Sequence, residues 1–303
     1  MQQVKTAFMI KSLTVALLLF PLAILSQDKK PVQLFSSEKA INANTPEVVP
    51  KGKMAFKVTH NFGDIAGDNG GARRFFGLDN SADIRIAFTV GVANRLDLTA
   101  ARAKGAGLHQ QLYELGLKYQ LLQQLENDPS HPVAVTFFAN NVITANKASA
   151  FPNQDNSFEN FSDRLSQVLQ LIIARKMGKV SVQLNPTFVN RGYAVTYDKK
   201  AMFALGGAVK LPLGGRINLV LDYFHPFRDK ASKDAFKANE NITFYDPLGV
   251  GFEVLTAGHI FRLNFTNSTE ILENRFIPRT ITSWGEGQFR WGFTITRNFT
   301  LWR

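Results

Sequence analysis

The chain has 303 residues, 35 Lys+Arg against 24 Asp+Glu for a formal charge of +11, 26 phenylalanines, 22 glycines and no cysteine. Without cysteine there is no disulfide, thiolate metal site, cysteine nucleophile or lipoprotein anchor. The basic excess comes without zinc, helix-turn-helix or RNA-recognition spacing, so no nucleic acid is expected as a partner, and the sequence calls for no cofactor.

Residues 1–26 carry Lys5 and Lys11, then the apolar run "SLTVALLLFPLAIL", then Ser26 before a polar stretch. That order is a secretory signal peptide, and the run is short of the ~20 residues a spanning helix needs. Residues 27–52 are polar, with Pro31, Pro46 and Pro50 and no clean period. They are expected to form a periplasmic lead-in lying mostly outside the fold.

From 53 to 303 the chain reads as successive ten-residue segments with period-two patterning. In "KMAFKVTHNFG", Met54, Phe56 and Val58 share one face, while Lys57, Thr59 and Asn61 share the other. In "DIRIAFTVGV", Ile84, Ile86, Phe88 and Val90 oppose Asp83, Arg85 and Thr89. "LYELGLKYQL" sets Tyr113, Leu115, Leu117 and Tyr119 against Glu114, Lys118 and Gln120. "VAVTFFAN" is apolar on both faces. "SDRLSQVLQLIIARKMG" is ambiguous, because Leu165, Val168, Leu169 and Ile172 also fit helical spacing. "VSVQLNPTFVN", the pair around "PLGG", the pair around "TAGH" and the closing "GQFRWGFTITRNFTLWR" return to alternation. Around "TAGH" both faces match when Glu253 faces Arg262, Val254 faces Phe261 and Phe252 faces Leu263, a register that a one-residue slip would destroy.

Connections tend to alternate long and short, as in an outer-membrane barrel with long outer loops and short periplasmic turns. The fold class expected is therefore all-β: a transmembrane antiparallel up-and-down β-barrel of about twelve strands in a Gram-negative outer membrane. Phe62, Tyr119, Phe188, Tyr223, Phe265, Trp284 and Trp291 suit interfacial aromatic girdles.

If apolar faces look into lipid, the candidate lumen charges are Lys57, Asp83, Arg85, Asp97, Glu114, Lys118, Lys210, Asp222, Glu253, Arg262 and Arg290. Six basic against five acidic members read as paired charges filling a narrow barrel rather than as a one-signed pore. His60, Phe62 and His225 are candidate outer-rim residues. No catalytic residue is assigned, because no His-x-Ser-Asn-Gly or similar motif occurs and His60 and His225 fall on strands that are not neighbours. "GDNGG" at 67–71 lacks the further acidic ligands of a calcium loop, so no metal is assigned.

"INANTPEVVPKGKMAFKVTHNFGD", "RRFFGLDNSADIRIAFTVGVANRLDL" and the "FTITRNFTL" end resemble the Bacteroidetes-type outer-membrane β-barrel family known as domain of unknown function five-seven-seven-seven. The resemblance runs from about Ala40 to the C-terminus and implies an outer-membrane barrel with no established activity. The last strand is similar to the assembly signal of such barrels, except for the extra Thr300 to Arg303. The expected partners are outer-membrane lipid and the barrel assembly machinery through that strand; Arg73–Arg74 and the "RDKASKDAFK" loop could meet lipopolysaccharide phosphates, but solvated loop charge is the reading favoured. The function expected is a narrow channel or a barrel transporting a small solute or lipid. A structural or interaction barrel with a charge-filled lumen is the alternative, ahead of an outer-membrane hydrolase.

Overall fold

The computed structural model describes residues 30–303, and the signal peptide expected at 1–26 lies outside them. Twelve strands close into one antiparallel barrel in chain order. They are β1 (Lys53–Asp64), β2 (Ser81–Ala93), β3 (Leu96–Ala103), β4 (Leu112–Leu122), β5 (Ala134–Thr144) and β6 (Leu165–Met177). β7 (Val180–Arg191), β8 (Ala201–Gly214), β9 (Ile217–Pro226), β10 (Leu248–Leu255), β11 (His259–Thr266) and β12 (Arg290–Thr300) follow. β1 pairs with β12 from Lys53↔Thr300 to Asp64↔Arg290, so no sheet edge is left to pair with another chain.

Period-two patterning explains the wall. On β4 the exposed Tyr113, Leu115, Leu117, Tyr119 and Leu121 alternate with the buried Leu112, Glu114, Lys118 and Gln120. The large apolar side chains look outward and the charges inward, the reverse of a water-soluble barrel. The β10–β11 register is the one the sequence predicts: Glu253↔Arg262, Val254↔Phe261 and Phe252↔Leu263. The ambiguous segment is a strand, β6. Val168 and Ile172 point into the lumen and Leu165 and Leu169 outward, so its helical spacing comes from being apolar on both sides.

Turns at 94–95, 178–179, 215–216 and 256–258 join strands at the end where β1 begins, the periplasmic end of the topology. The β4–β5 connection breaks the alternation, being longer than the β3–β4 loop on the other side. The outer loops carry two α-helices, α1 (Lys230–Glu240) and α2 (Glu273–Arg279). Asp229 caps α1 by accepting the Ser232 N–H at 2.7 Å, and Asn241 ends it in the left-handed region.

The stretch 27–52, expected as a periplasmic lead-in outside the fold, is corrected by the structure. Its described part enters the barrel at the periplasmic end, where the Val32 N–H donates to Gln124 O. It climbs into the lumen, turns through Ala40–Ala43 and returns along Thr45–Pro50 to meet β1. Lys39 bridges Asn44 as in a hairpin, and Leu34, Phe35, Ala43 and Thr45 are buried. The lack of a period misled because this segment packs on the inside of a closed wall. Its register is set by side chains from several distant strands rather than by a neighbouring strand.

Candidate functional site: the occupied lumen

All eleven charges predicted to face the lumen are buried inside the barrel. A water-filled bore would leave them accessible, yet Lys57, Arg85, Glu114, Lys118, Glu253 and Arg262 are at most 4% exposed. Two insertions fill the space. One is the N-terminal hairpin; the other is the β11–β12 loop, whose α2 descends from the outer end.

The tip of the hairpin is held by one carboxylate. Asp222 on β9 accepts the backbone N–H groups of Ile41, Asn42 and Ala43, and its second oxygen accepts from Asn42 Nδ2 at 3.1 Å. Three successive N–H groups aimed at one anion form a backbone nest, here closed around a side chain of the wall. Gly249 makes the room: a Cβ there would fall 2.6 Å from Asp222 Oδ1 and 3.0 Å from Ile41 Cγ2.

Further contacts run down both arms. Glu38 pairs with Lys57 at 2.5 Å, and Lys118 donates to the carbonyls of Glu38 and Glu47. Gln183 and Asn185 both donate to Asn44 O, Ser181 donates to Leu34 O, and Asp97 accepts the Val49 N–H at 2.8 Å. Arg262 Nη2 reaches Ser37 Oγ at 3.2 Å.

The lumen is not polar all round. Leu34, Phe35, Ala40, Ile41 and Ala43 of the hairpin join Phe138, Val168, Ile172 and Phe224 of the wall, and Phe276 and Ile277 of α2, in one buried apolar cluster. The inner faces of β5 to β9 supply the wall's part of this cluster, which is why β5 and β6 are apolar on both sides. The charges lie chiefly on β1–β4 and β10–β12.

The two insertions meet at Glu273, the first residue of α2. Its Oε1 takes a salt bridge from Lys39 and a hydrogen bond from Asn44 Nδ2 at 3.0 Å. Asn274 donates to Ser166 Oγ on β6 at 2.6 Å, and Phe276 packs edge-on against Phe224 at 5.3 Å. Beside the hairpin, Lys39, Lys57, Arg85, Asp97 and Glu114 border a cavity of about 30 Å³, room for a water or two.

Above α2 the outer loops are tied by charge. Asp198 bridges Arg191 and Arg228, Arg279 spans Asp155 and Glu240, and Arg275 lies 3.6 Å from Asp155. Burial opposes the charge on Asp155, yet Arg275 and Arg279 hold its carboxyl down to about 2.

His60, Phe62 and His225 are not brought into one site. His60 faces outward on β1, stacked on Phe293 at 5.6 Å with its Nε2 3.1 Å from Ser81 Oγ. Phe62 lies against His60 at 4.3 Å. His225 on β9 contacts Asp246 at 2.9 Å through Nδ1. Among the described residues no group of three or more His, Cys, Asp or Glu side chains is placed to hold a metal.

The family model for a membrane bound beta barrel domain (DUF5777) matches residues 35–299. The chain belongs to this family. The matched span opens at Phe35, within the hairpin, so the insertion belongs to the family domain as much as the wall does. No curated protein matches the chain. Among solved structures it is similar to the NanC porin at 6% identity, with 81% of this chain and 98% of that one covered and a TM-score of 0.46. It is similar to the KdgM porin at 9% identity, covering 82% and 99%, with a TM-score of 0.46. An outer membrane channel from Pseudomonas putida aligns at 13% identity, covering 84% and 97%, with a TM-score of 0.42. The protein is an outer-membrane β-barrel.

Sequence reasoning missed Glu38, Lys39, Ile41–Asn44, Glu47 and Glu273. Inward apolar residues on β6, with nothing polar for them to face, were the available sign that the lumen holds more than charge.

Proposed function

We propose that the protein is a gated outer-membrane channel for a small solute, shut in this conformation by the N-terminal hairpin and by α2. The observation that carries the reading is that the wall closes without its contents. Every ladder of the barrel runs strand to strand, from β1–β2 round to β12–β1. The hairpin runs directly into β1 at its C-terminal end, before Lys53; its remaining backbone ties are the bridges Pro31↔Leu125 and Lys51↔Gly91 at the periplasmic mouth, by which it enters and leaves. It can withdraw without breaking any ladder of the barrel. That mouth already holds a cavity of about 460 Å³ between Pro31–Leu34, Glu47–Lys51 and the β2–β3 and β4–β5 turns.

The apolar cluster of Leu34, Phe35 and Phe276 favours a second reading, a permanently packed barrel that acts through its outer loops. There the exposed Arg73 and Arg74, next to exposed Phe75 and Phe76, would meet lipopolysaccharide phosphate and acyl chain. In either reading β12, the closing strand, would be the part offered to the assembly machinery. The rim histidines lie apart, and neither is supplied with a nucleophile and an orienting group, so we assign no catalysis to them.

Solute-driven swelling of proteoliposomes separates the two readings. Wild-type protein is expected to pass small solutes slowly, and Gly249→Val, which fills the seat of the hairpin tip, is expected to pass them faster. Equal impermeability of both, with the barrel folded, would support the packed barrel and end the channel reading.

A further inference from the structure

The lipid-facing side of the wall is uncharged toward its outer end, with one exception. On β3, Leu98, Ala100 and Arg102 point away from the lumen, and Lys104 continues the same face just past the strand. Arg102 lies opposite Ile86 of β2 and Tyr113 of β4, and the Lys104 N–H donates to Ile84 O. No outward position in the outer half of the other eleven strands carries Lys, Arg, Asp or Glu. The corresponding places hold uncharged or aromatic residues such as Gln167, Asn190 and Trp291.

Neither cation has a counter-charge on that face. Neither side chain makes an ion pair or a hydrogen bond among the described residues. Asp83 and Glu114 of the flanking strands turn into the lumen, where Asp83 accepts the Gly105 and Ile271 N–H groups and Glu114 is held by Arg85. In the β1–β2 loop, exposed Asp68 and Asp79 offset exposed Arg73 and Arg74, so the positive excess is that of Arg102 and Lys104.

A cation on a lipid-facing strand is destabilising within the hydrocarbon and is tolerated at the interface, where lipid head groups can supply an anion. Alternate residues of a strand stand about 7 Å apart, a spacing that lets two long cationic side chains close on one phosphate. The guanidinium fork matches phosphate oxygens two at a time. Around the pair, Ile86, Tyr113 and Leu115 are exposed apolar surface. We infer that Arg102 and Lys104 seat the phosphate of a lipopolysaccharide molecule in the outer leaflet, with its acyl chains against Ile86, Tyr113 and Leu115. The seat is on the lipid side of the wall and stands whether the lumen opens or stays packed.

Native mass spectrometry of the full-length barrel in detergent, titrated with diphosphoryl lipid A, tests this. Wild-type protein is expected to retain one lipid A. Arg102→Gln with Lys104→Gln should bind it at least about tenfold more weakly, since a charge-assisted hydrogen bond is lost with each cation. Lys104→Gln alone, outside the strand, should weaken binding in the same direction with no demand on folding. Arg175→Gln, outward near the periplasmic end of β6, should leave binding unchanged. Heat-modifiable gel mobility checks that each barrel is folded. No lipid A on the wild type, or equal binding by the folded double variant, overturns the inference. So does equal binding of phosphate-free lipid A or of phosphatidylglycerol, or displacement of lipid A by inorganic phosphate, which would mark a free-anion site. Loss of binding in Arg73→Gln with Arg74→Gln alone would move the phosphate to the β1–β2 loop and overturn it as well.

Discussion

Asp222 accepts the backbone N–H of Ala43 at 2.8 Å, and the same oxygen accepts those of Ile41 and Asn42. A single carboxylate of the wall thus holds the deepest point of a chain segment that reaches it from the periplasmic mouth. Hydrogen bonds to a charged group each contribute about 1.5–3 kcal/mol, and this one carboxylate accepts four from the hairpin.

Asp222→Ala should loosen the hairpin without unfolding the wall. The chain has no cysteine, so Ala43→Cys introduces the sole thiol, at a position 0% exposed. Labelling of that thiol by a membrane-impermeant maleimide is expected to be slow in the otherwise wild-type protein. It should rise at least about tenfold in Asp222→Ala, since 1.4 kcal/mol is a factor of ten and more than one charged hydrogen bond is lost. Equal rates would show that Asp222 does not hold the tip.

The Glu253–Arg262 pair tests the wall rather than its contents. Both side chains are buried, and removal of one partner strands the other at a cost of about 3–5 kcal/mol. Arg262→Ala should lower the urea midpoint of the barrel in lipid vesicles markedly. The double change Glu253→Leu with Arg262→Met should recover most of it, because a well-packed apolar pair carries no unpaired charge.

On the lipid side, Leu115 of β4 is 63% exposed and points away from the lumen. Leu115→Arg should destabilise the barrel by about 2–4 kcal/mol if it lies near the bilayer midplane. A protein that folds equally well with arginine there, or that stays soluble without detergent, does not present this face to lipid.

The outer loops should respond to pH. Burial pushes the Glu270 carboxyl up to about 8, and Asp83 adds to the rise while Arg275 pulls it back. A folded value above the ordinary 4.5 of a glutamate means the folded loop holds its proton longer than the unfolded chain does. The stability it contributes is complete below about pH 4.5 and is lost as pH rises toward 8. Amide exchange in the β11–β12 loop should therefore quicken over that window, and Glu270→Gln should flatten the change. His109 works in the other direction. Burial, with Arg275 nearby, depresses it to about 3, so its contribution is present above pH 6.5 and lost on acidification.

The wall was legible in the sequence because period-two patterning and the turn residues name its strands independently. At "TAGH" the match of Glu253 with Arg262 on one face and of apolar pairs on the other left one register possible. The inward direction of the charges followed from the same alternation once the outer face was taken as apolar. The contents of the lumen were not legible. Leu34, Phe35, Ile41 and Val49 lie in a polar stretch without a period, and their burial depends on Asp222, Asn185 and Phe138 from strands far along the chain. Glu273 and Lys39 are 234 positions apart and meet only because two loops enter one barrel from opposite ends. Val168 and Ile172 carried the one local hint, at a spacing that fits a helix as well as a strand.

The central claim is that a closed wall surrounds a removable hairpin. Single-channel recording from purified wild-type protein beside Gly249→Val tests it most directly. The account predicts a wild-type trace that is silent apart from brief openings, and a variant of the same unit conductance with much longer open times. A wild-type channel that is steadily open, or a folded variant as silent as the wild type, would contradict it.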